Sequence, residues 1–122
     1  MQRGVPLFKT HQADDFWTAE VNLAQINSQI AAEFQNAFSE AVVQHHGPVI
    51  LDLKNVSFID SSGLAAIVFC FKSLALRDEL VLCSLGDRLR KVLDATHIDK
   101  ILRIYPNLDE AMAALTESPD DD

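Results

Sequence analysis

Near the middle of the chain, a run of apolar residues is followed by a polar cluster and then by apolar positions at helical spacing. The run covers residues 49–53 and is interrupted only by Asp52, which is typical of a strand with both faces covered. The polar cluster is Asp60-Ser61-Ser62-Gly63. The apolar positions after it share one helical stripe and are Leu64, Ile67, Val68, Phe71, Leu74 and Ala75. The pattern predicts a buried strand, a short crossover and a helix over residues 62–77.

The two serines of the cluster lie where helix-capping hydroxyls are expected. A capping side chain accepts a hydrogen bond from a free N–H of the first turn, which stabilises a helix by roughly 1 kcal/mol. A helix start also tolerates an anion, because its free N–H groups carry the positive end of the helix dipole. Ser61 and Ser62 are therefore either caps or candidates for phosphorylation, which would add nearly two negative charges without harming the fold.

The rest of the hydrophobic pattern predicts alternating strands and helices. Residues 5–10 and 16–21 form a predicted hairpin at one side of the sheet, and a long amphipathic helix follows over residues 22–44, with Asn22 as its cap. Beyond the central strand and helix, the pattern predicts a strand at 80–84, a helix at 87–95, a strand at 101–105 and a last helix that begins at a capping box of Asn107 and Glu110 and runs to about residue 115.

This order of elements predicts the class of fold. Strands that alternate with helices from residue 48 onward are joined by right-handed crossovers and pair in parallel, whereas the N-terminal hairpin is antiparallel. The sequence therefore predicts a single α/β domain, with a mixed sheet of about five strands that carries an N-terminal hairpin and is flanked by about four helices.

One side of the helix after the serines has no obvious place in the core. On a helical wheel of 100° per residue, Ser62, Ala66, Phe69 and Ser73 lie roughly opposite the apolar stripe. Phe69 is either a single exposed apolar residue, which is common, or the centre of a docking patch rimmed by hydroxyls. The hypothesis to test is that these four residues contact a partner.

The charge of the chain argues against nucleic acid as a partner. The formal net charge is −8, and half of it comes from four residues near the end, Glu117, Asp120, Asp121 and Asp122. Phosphate binding needs clustered Lys and Arg, and the one small basic cluster, within residues 88–91, is better interpreted as a solvated helix face. Since no apolar run approaches a membrane span and no signal-peptide core is seen, we expect a cytoplasmic protein without membrane insertion.

The residues that most often carry chemistry do not form a catalytic or metal-binding pattern. Cys70 and Cys83 have apolar neighbours and a spacing unlike that of metal ligands, so we expect buried free thiols. His45 and His46 precede a Gly-Pro turn, and adjacent histidines alone do not indicate a metal. The cluster Asp-Ser-Ser-Gly lacks the Gly-x-Ser-x-Gly elbow of serine hydrolases, and nothing places His97 or the other histidines beside it. We expect a protein that is not an enzyme and holds neither metal nor cofactor.

Two segments resemble one known family. Phe58-Ile59-Asp60-Ser61-Ser62-Gly63-Leu64 is similar to the signature loop of STAS domains, the anti-sigma factor antagonist family, and residues 85–115 are similar to the closing segment of these domains in order and spacing. The resemblance covers roughly residues 5–116. It implies a STAS domain over residues 1–116, followed by an acidic tail over residues 117–122 that we expect to be disordered.

The resemblance implies a phosphorylation switch. In the antagonist branch, a partner kinase phosphorylates the first serine after the aspartate, which is Ser61 here, with Ser62 as the fallback. The implied partners are an anti-sigma factor with a kinase-type ATPase fold and a serine phosphatase, and the implied state is a monomer or weak dimer. Together with the outer helix face, this predicts partner-binding residues at Asn22, Asp60, Ser61, Ser62, Gly63, Ala66, Phe69 and Ser73.

One departure from the family keeps a second function open. Many STAS domains have Gly-Glu-Leu-Asp before the first long helix, whereas this chain has Ala19-Glu20-Val21-Asn22. A neutral amide in place of the aspartate favours a role without switching. The alternative is a small STAS subunit that binds the ATPase of a lipid-transport ABC complex, in which the serine loop supports docking and need not be phosphorylated.

Overall fold

A five-stranded sheet forms the centre of the part of the molecule that the structure describes. The computed structural model describes residues 6–74 and 78–116. The strands of the main sheet are β1 (Phe8–Gln12), β2 (Trp17–Val21), β4 (Val49–Asp52), β6 (Leu80–Cys83) and β7 (Arg103–Tyr105). Their order is β1-β2-β4-β6-β7; β1 pairs antiparallel with β2, and every other neighbouring pair is parallel. The mixed sheet and its N-terminal hairpin confirm the predicted fold class.

In the described part of the chain, four helices and one short 3₁₀ turn connect and cover the strands. The helices are α1 (Ala31–Gln44), α2 (Ser61–Leu74), α3 (Asp87–Ala95) and α4 (Leu108–Thr116), and the 3₁₀ turn is Ile98–Lys100. None of the helices in the described ranges is long and apolar enough to cross a membrane. The predicted capping box is present in its first half, since the backbone N–H of Glu110 donates to Asn107 Oδ1 at 2.9 Å.

The central strands are buried because helices pack on both sides of them. All four residues of β4 and all four of β6 are buried, as the apolar run predicts. One face carries the large core of Trp17, Phe34 and Phe38 with α1, α2 and α3. The other face carries a smaller cluster, in which α4 packs on Ile50 and Val81. The face of the hairpin strands opposite α1 has no helix of its own among the elements described, because α4 packs on β4, β6 and β7.

The first long helix begins later than the sequence predicts. Residues 22–44 were expected to be one helix capped by Asn22, but α1 begins at Ala31, and the segment before it contains strand β3 (Gln25–Ile26). Strand β3 pairs in parallel with β5 (Phe58–Ile59) and forms a second, two-stranded sheet. The prediction was wrong because Ile26 fits the apolar stripe of a helix, although it is buried as a strand residue. A strand of two residues is too short to show the alternation of apolar and polar positions by which strands are recognised.

The acidic tail lies outside the described residues. The same is true of the predicted first residue of β1 and of the last turn predicted for the helix after the serines. The ends of β2, β4, β6, α3 and β7 fall within two residues of the predicted bounds, whereas β1 begins three residues later and ends two residues later than predicted.

Candidate docking site around Ser61

The small sheet of β3 and β5 fixes the start of helix α2. Strand β5 ends at Ile59, and the backbone N–H of Asp60 donates to the carbonyl of Ile26 in β3 at 3.3 Å. Gly63, in the first turn of α2, is buried directly against β3. A Cβ added at Gly63 would lie 2.0 Å from the carbonyl oxygen of Ile26. Only glycine therefore allows α2 to approach β3 this closely, and the helix start is held by backbone packing.

Asp60 is the cap of helix α2. Its Oδ1 accepts a hydrogen bond from the backbone N–H of Gly63 at 2.9 Å, and its main-chain carbonyl accepts from Leu64 at 2.9 Å, the pattern of an N-cap residue. Its Oδ2 accepts from the backbone N–H of Ser28 at 3.1 Å, so the same carboxylate also joins the turn before α1 to the start of α2. The interpretation of Ser61 or Ser62 as the cap is wrong, because the Asp60 carboxylate accepts the hydrogen bond from the N–H of Gly63, the third residue of the helix.

Ser61 is consequently left free at the first helical position. The residue is exposed, and its hydroxyl has no hydrogen-bond partner in the part of the chain that the structure describes. Ser62 is half-buried and is therefore a less exposed residue than Ser61. Exposure of Ser61 is the condition on which a phosphorylation switch at this residue depends.

An open groove begins at Ser61 and runs along one side of α2. It has a volume of about 550 Å³ and is lined by Ser61, Leu64, Ala65, Val68, Phe69, Lys72, Thr96 and Ile98. Phe69 is 46% exposed, although it is a large aromatic residue. The opposite wall comes from the end of α3 and the 3₁₀ turn after it. Among the described residues, the lining is mostly apolar and Lys72 is its one charged residue, so the groove suits a partner that buries apolar side chains.

The buried side of α2 is turned relative to the predicted stripe. Ala66 is 0% exposed, so the prediction that it contacts a partner from the outer face is wrong. Gly63 is buried as well and acts through packing on β3. The helix packs against α1, β3, β5 and β6 together, and the small residues lie where the approach is closest. The buried residues of α2 are Gly63, Ala66, Ile67, Cys70 and Leu74.

The other predicted site residues are divided between two places. Ser73 is exposed on α2, and its hydroxyl donates to the carbonyl of Cys70 at 2.9 Å. Asn22 is exposed at the end of β2, where its backbone N–H donates to the carbonyl of Leu7 at 2.7 Å and its side-chain amide donates to that of Pro6 at 3.1 Å. Asn22 is not part of the groove lining, and its bonds tie it to the segment before β1.

Sequence reasoning missed part of the groove. Leu64 and Val68 were assigned to the buried stripe, but both are half-buried and line the groove. Thr96 and Ile98 belong to the far wall, which no local pattern indicates. The one signal in the sequence that could have indicated the groove is that the apolar positions of α2 cover more of the helix surface than a single core-facing stripe.

The two cysteines, Cys70 and Cys83, are buried free thiols. Burial raises the pKa of the Cys70 thiol to about 12 and that of the Cys83 thiol to about 11, so both stay protonated near neutral pH. Within residues 6–74 and 78–116, no group of three or more His, Cys, Asp or Glu side chains is arranged to hold a metal ion.

Comparisons with known proteins identify the family of this chain. The family model described as STAS domain matches residues 23–111. The anti-sigma-B factor antagonist of Listeria monocytogenes is 36% identical over 81 residues, which are 66% of this chain and 71% of that protein. The anti-sigma F factor antagonist of Paenibacillus polymyxa is 36% identical over 70 residues, which are 57% of each chain.

Solved structures show the same fold. A crystal structure of a candidate anti-sigma factor antagonist from Thermotoga maritima has a TM-score of 0.77 at 25% identity and covers 90% of this chain and 95% of its own. An anti-sigma factor antagonist from Mycobacterium paratuberculosis, at 23% identity, has a TM-score of 0.81 and covers 90% of this chain and 93% of its own. With most of its length matched by the family model, this chain belongs to the STAS domain family.

Proposed function

We propose that this protein is an anti-sigma factor antagonist that binds its partner through the groove beside Ser61 and is released by phosphorylation of Ser61. The partner is an anti-sigma factor with a kinase-type ATPase fold, which also transfers the phosphate, and a serine phosphatase resets the switch. The protein acts in the cytoplasm as a monomer or weak dimer and carries out no catalytic step itself.

The observation that carries the proposal is the position of one free hydroxyl. Ser61 is exposed at the first position of α2, Asp60 has taken over the cap, and an apolar groove opens next to it. Relatives at 36% identity are named anti-sigma-B and anti-sigma F factor antagonists, which supports this class of partner.

The charges around Ser61 support a switch that breaks a complex. A phosphate adds nearly two negative charges beside Asp60, which is already an acidic side chain. Lys72, the one charged residue in the described part of the groove lining, is eleven positions further along α2 and thus about 16 Å away along the helix axis, too far to neutralise the phosphate. Burying that unpaired charge in an interface costs several kcal/mol, so we expect affinity to fall about 10³-fold or more.

The decisive test compares charge at adjacent serines. The partner is first identified by co-purification from the source cell and then titrated with wild type, Ser61→Asp, Ser61→Ala and Ser62→Asp. We expect Ser61→Asp to lose binding, Ser61→Ala to keep it, and mass spectrometry of the native protein to find phosphate on Ser61. If Ser61→Asp binds as well as wild type, the switch assignment is wrong; if the loss follows Ser62→Asp, Ser62 is the switch residue.

A second variant tests the groove itself. Phe69→Ser removes the most exposed aromatic side chain of α2, and an aromatic residue at the centre of an interface contributes about 2 kcal/mol, or about 30-fold in affinity. Val43→Ser is the matched control, because Val43 is 84% exposed on α1 and outside the groove. Equal affinities for wild type and Phe69→Ser would contradict docking in this groove. A transporter ATPase as the co-purified partner would instead support the non-switching alternative.

A further inference from the structure

A second surface lies at the free edge of the main sheet, away from Ser61. Among residues 6–74 and 78–116, strand β1 pairs with β2 alone and therefore ends the sheet. A groove of about 310 Å³ lies between this edge and helix α1, and it shares no residue with the groove beside Ser61. Phe8 and Thr10 of β1 line one side; Ala37, Glu40 and Ala41 of α1 line the other.

The register of the hairpin shows which backbone groups face outward. The N–H of Asn22 donates to the carbonyl of Leu7 at 2.7 Å, and the N–H of Ala13 donates to that of Phe16 at 2.8 Å, so bonded pairs occur at every second residue of β1 between these positions. The N–H and C=O groups of Phe8 and Thr10 therefore point away from β2. No described backbone hydrogen bond to an element outside the hairpin uses them.

The far end of the edge is closed by a side chain. Gln12 accepts a bond from the backbone N–H of His46 at 2.9 Å, and its amide donates to the carbonyl of His46 at 3.1 Å. The open part of the edge thus runs from Phe8 to Thr10. This is long enough for a segment of a few residues to add as one more strand.

We propose that this edge binds an extended segment of a second partner protein, which adds to β1 as a strand and places a small apolar side chain over Ala37 and Ala41 and a basic side chain next to Glu40. The backbone groups of Phe8 and Thr10 supply the hydrogen bonds. Among the described residues that line the groove, Glu40 is the only acidic one and none is Lys or Arg, so Glu40 selects a basic residue.

A second copy of this chain fits the edge less well. If two copies paired through β1 in the antiparallel register centred on Thr10, Lys9 of each copy would face His11 of the other, and neither strand would bring a negative charge. Phe8 is only 7% exposed and packs into its own core, so it could not fill the groove of the other copy.

The probe for this surface is the hexapeptide acetyl-Thr-Lys-Val-Ala-Val-Thr-amide, titrated to millimolar concentration into the full-length ¹⁵N-labelled protein. We expect the amide resonances of Phe8 and Thr10 to shift with a millimolar dissociation constant, because the contact area is small. A copy of the peptide methylated at alternate backbone nitrogens should bind at least about tenfold more weakly, because it loses donors of the added strand. Equal binding of the two peptides, or no shift at these amides, overturns the proposal.

Charge reversal supplies the matched controls. Glu40→Lys should weaken binding of the lysine peptide and strengthen binding of a peptide in which glutamate replaces the lysine. Glu33→Lys makes the same change of charge at an exposed position of the same helix outside the groove, and it should change neither affinity. Identical behaviour of the two variants also overturns the proposal. Without peptide, the amide resonances of Phe8 and Thr10 could instead shift with protein concentration, together with a doubled mass in sedimentation. That result would assign the edge to a second copy of the chain and overturn the proposal.

Discussion

The close approach of α2 to β3 makes Gly63→Ala the sharpest test of the site's construction. The added methyl carbon would lie 2.0 Å from the carbonyl oxygen of Ile26, 2.7 Å from its carbonyl carbon and 2.8 Å from Cγ1 of Ile59. Normal contact between such atoms requires about 3.5 Å, so α2 and β3 must separate by more than about 1 Å. Two of the three atoms are backbone, so no rotamer change relieves the clash. We expect a loss of about 3 kcal/mol, the upper end of the range for overpacking.

Urea unfolding followed by circular dichroism measures this loss, and Gly86→Ala is the matched control. Gly86 precedes α3 with φ −74°, and a Cβ there would meet nothing within 4 Å. Gly86 is the N-cap of α3, where alanine is the poorer residue but restricts the unfolded chain, so we expect the control to lie within about 1 kcal/mol of wild type. In thermal unfolding, 3 kcal/mol corresponds to a midpoint lower by roughly 10–15 °C for a chain of this size. A Gly63→Ala variant within about 1 kcal/mol of wild type would refute the backbone contact between α2 and β3.

Three further changes test other parts of the structure. The pKa of His45 is lowered by its burial and, to a smaller extent, by the neighbouring His46. The neutral imidazole therefore stabilises the folded protein above the unfolded-state pKa of 6.5, and this stability is lost as the pH falls below that value. His45→Gln should flatten the acid side of a curve of stability against pH, and an unchanged curve would contradict the assignment. The Cys70 and Cys83 thiols are buried and have raised pKa values. A thiol reagent such as DTNB should therefore label neither cysteine in the native protein and both in urea. Labelling of the folded protein at the rate of an exposed thiol would exclude that burial. His97, just after α3, has a left-handed backbone conformation with φ 63°, which is strained for a residue other than glycine. His97→Gly should therefore raise the free energy of unfolding, measured in urea, by about 0.5–1 kcal/mol. A decrease would show that the histidine side chain contributes more to stability than the backbone strain costs.

Most of the main sheet could be predicted from the sequence because its signals are local. Strand β6 is fully apolar and β4 is apolar apart from Asp52, which is typical of strands covered on both faces, and the glycine-proline pair before β4 separates it from α1. Helix α3 has the same bounds in the prediction and the structure, because its polar and apolar positions alternate cleanly at helical spacing. In each of these elements, one segment carries enough pattern to determine its own conformation.

The small sheet could not be predicted, because its signal is not local. Strands β3 and β5 have two residues each, and they are separated by α1 and β4 in the chain. Nothing in the period of residues 22–30 distinguishes a strand and turn from the first turns of a helix. Only the pairing of Ile26 with Ile59 makes the difference, and that pairing is a property of the folded chain.

The same pairing explains why the aspartate and not a serine caps α2, and this separation of roles matters for a switch. A serine at the cap would hold its oxygen in a hydrogen bond to the backbone, and its phosphorylation would replace that bond. Because β5 ends one residue before Asp60, the carboxylate takes both the Gly63 and the Ser28 N–H groups, and Ser61 is left with no structural bond in the described part of the chain. A charge added at Ser61 can then change what a partner meets at the groove while the hydrogen bonds that hold the helix start remain in place.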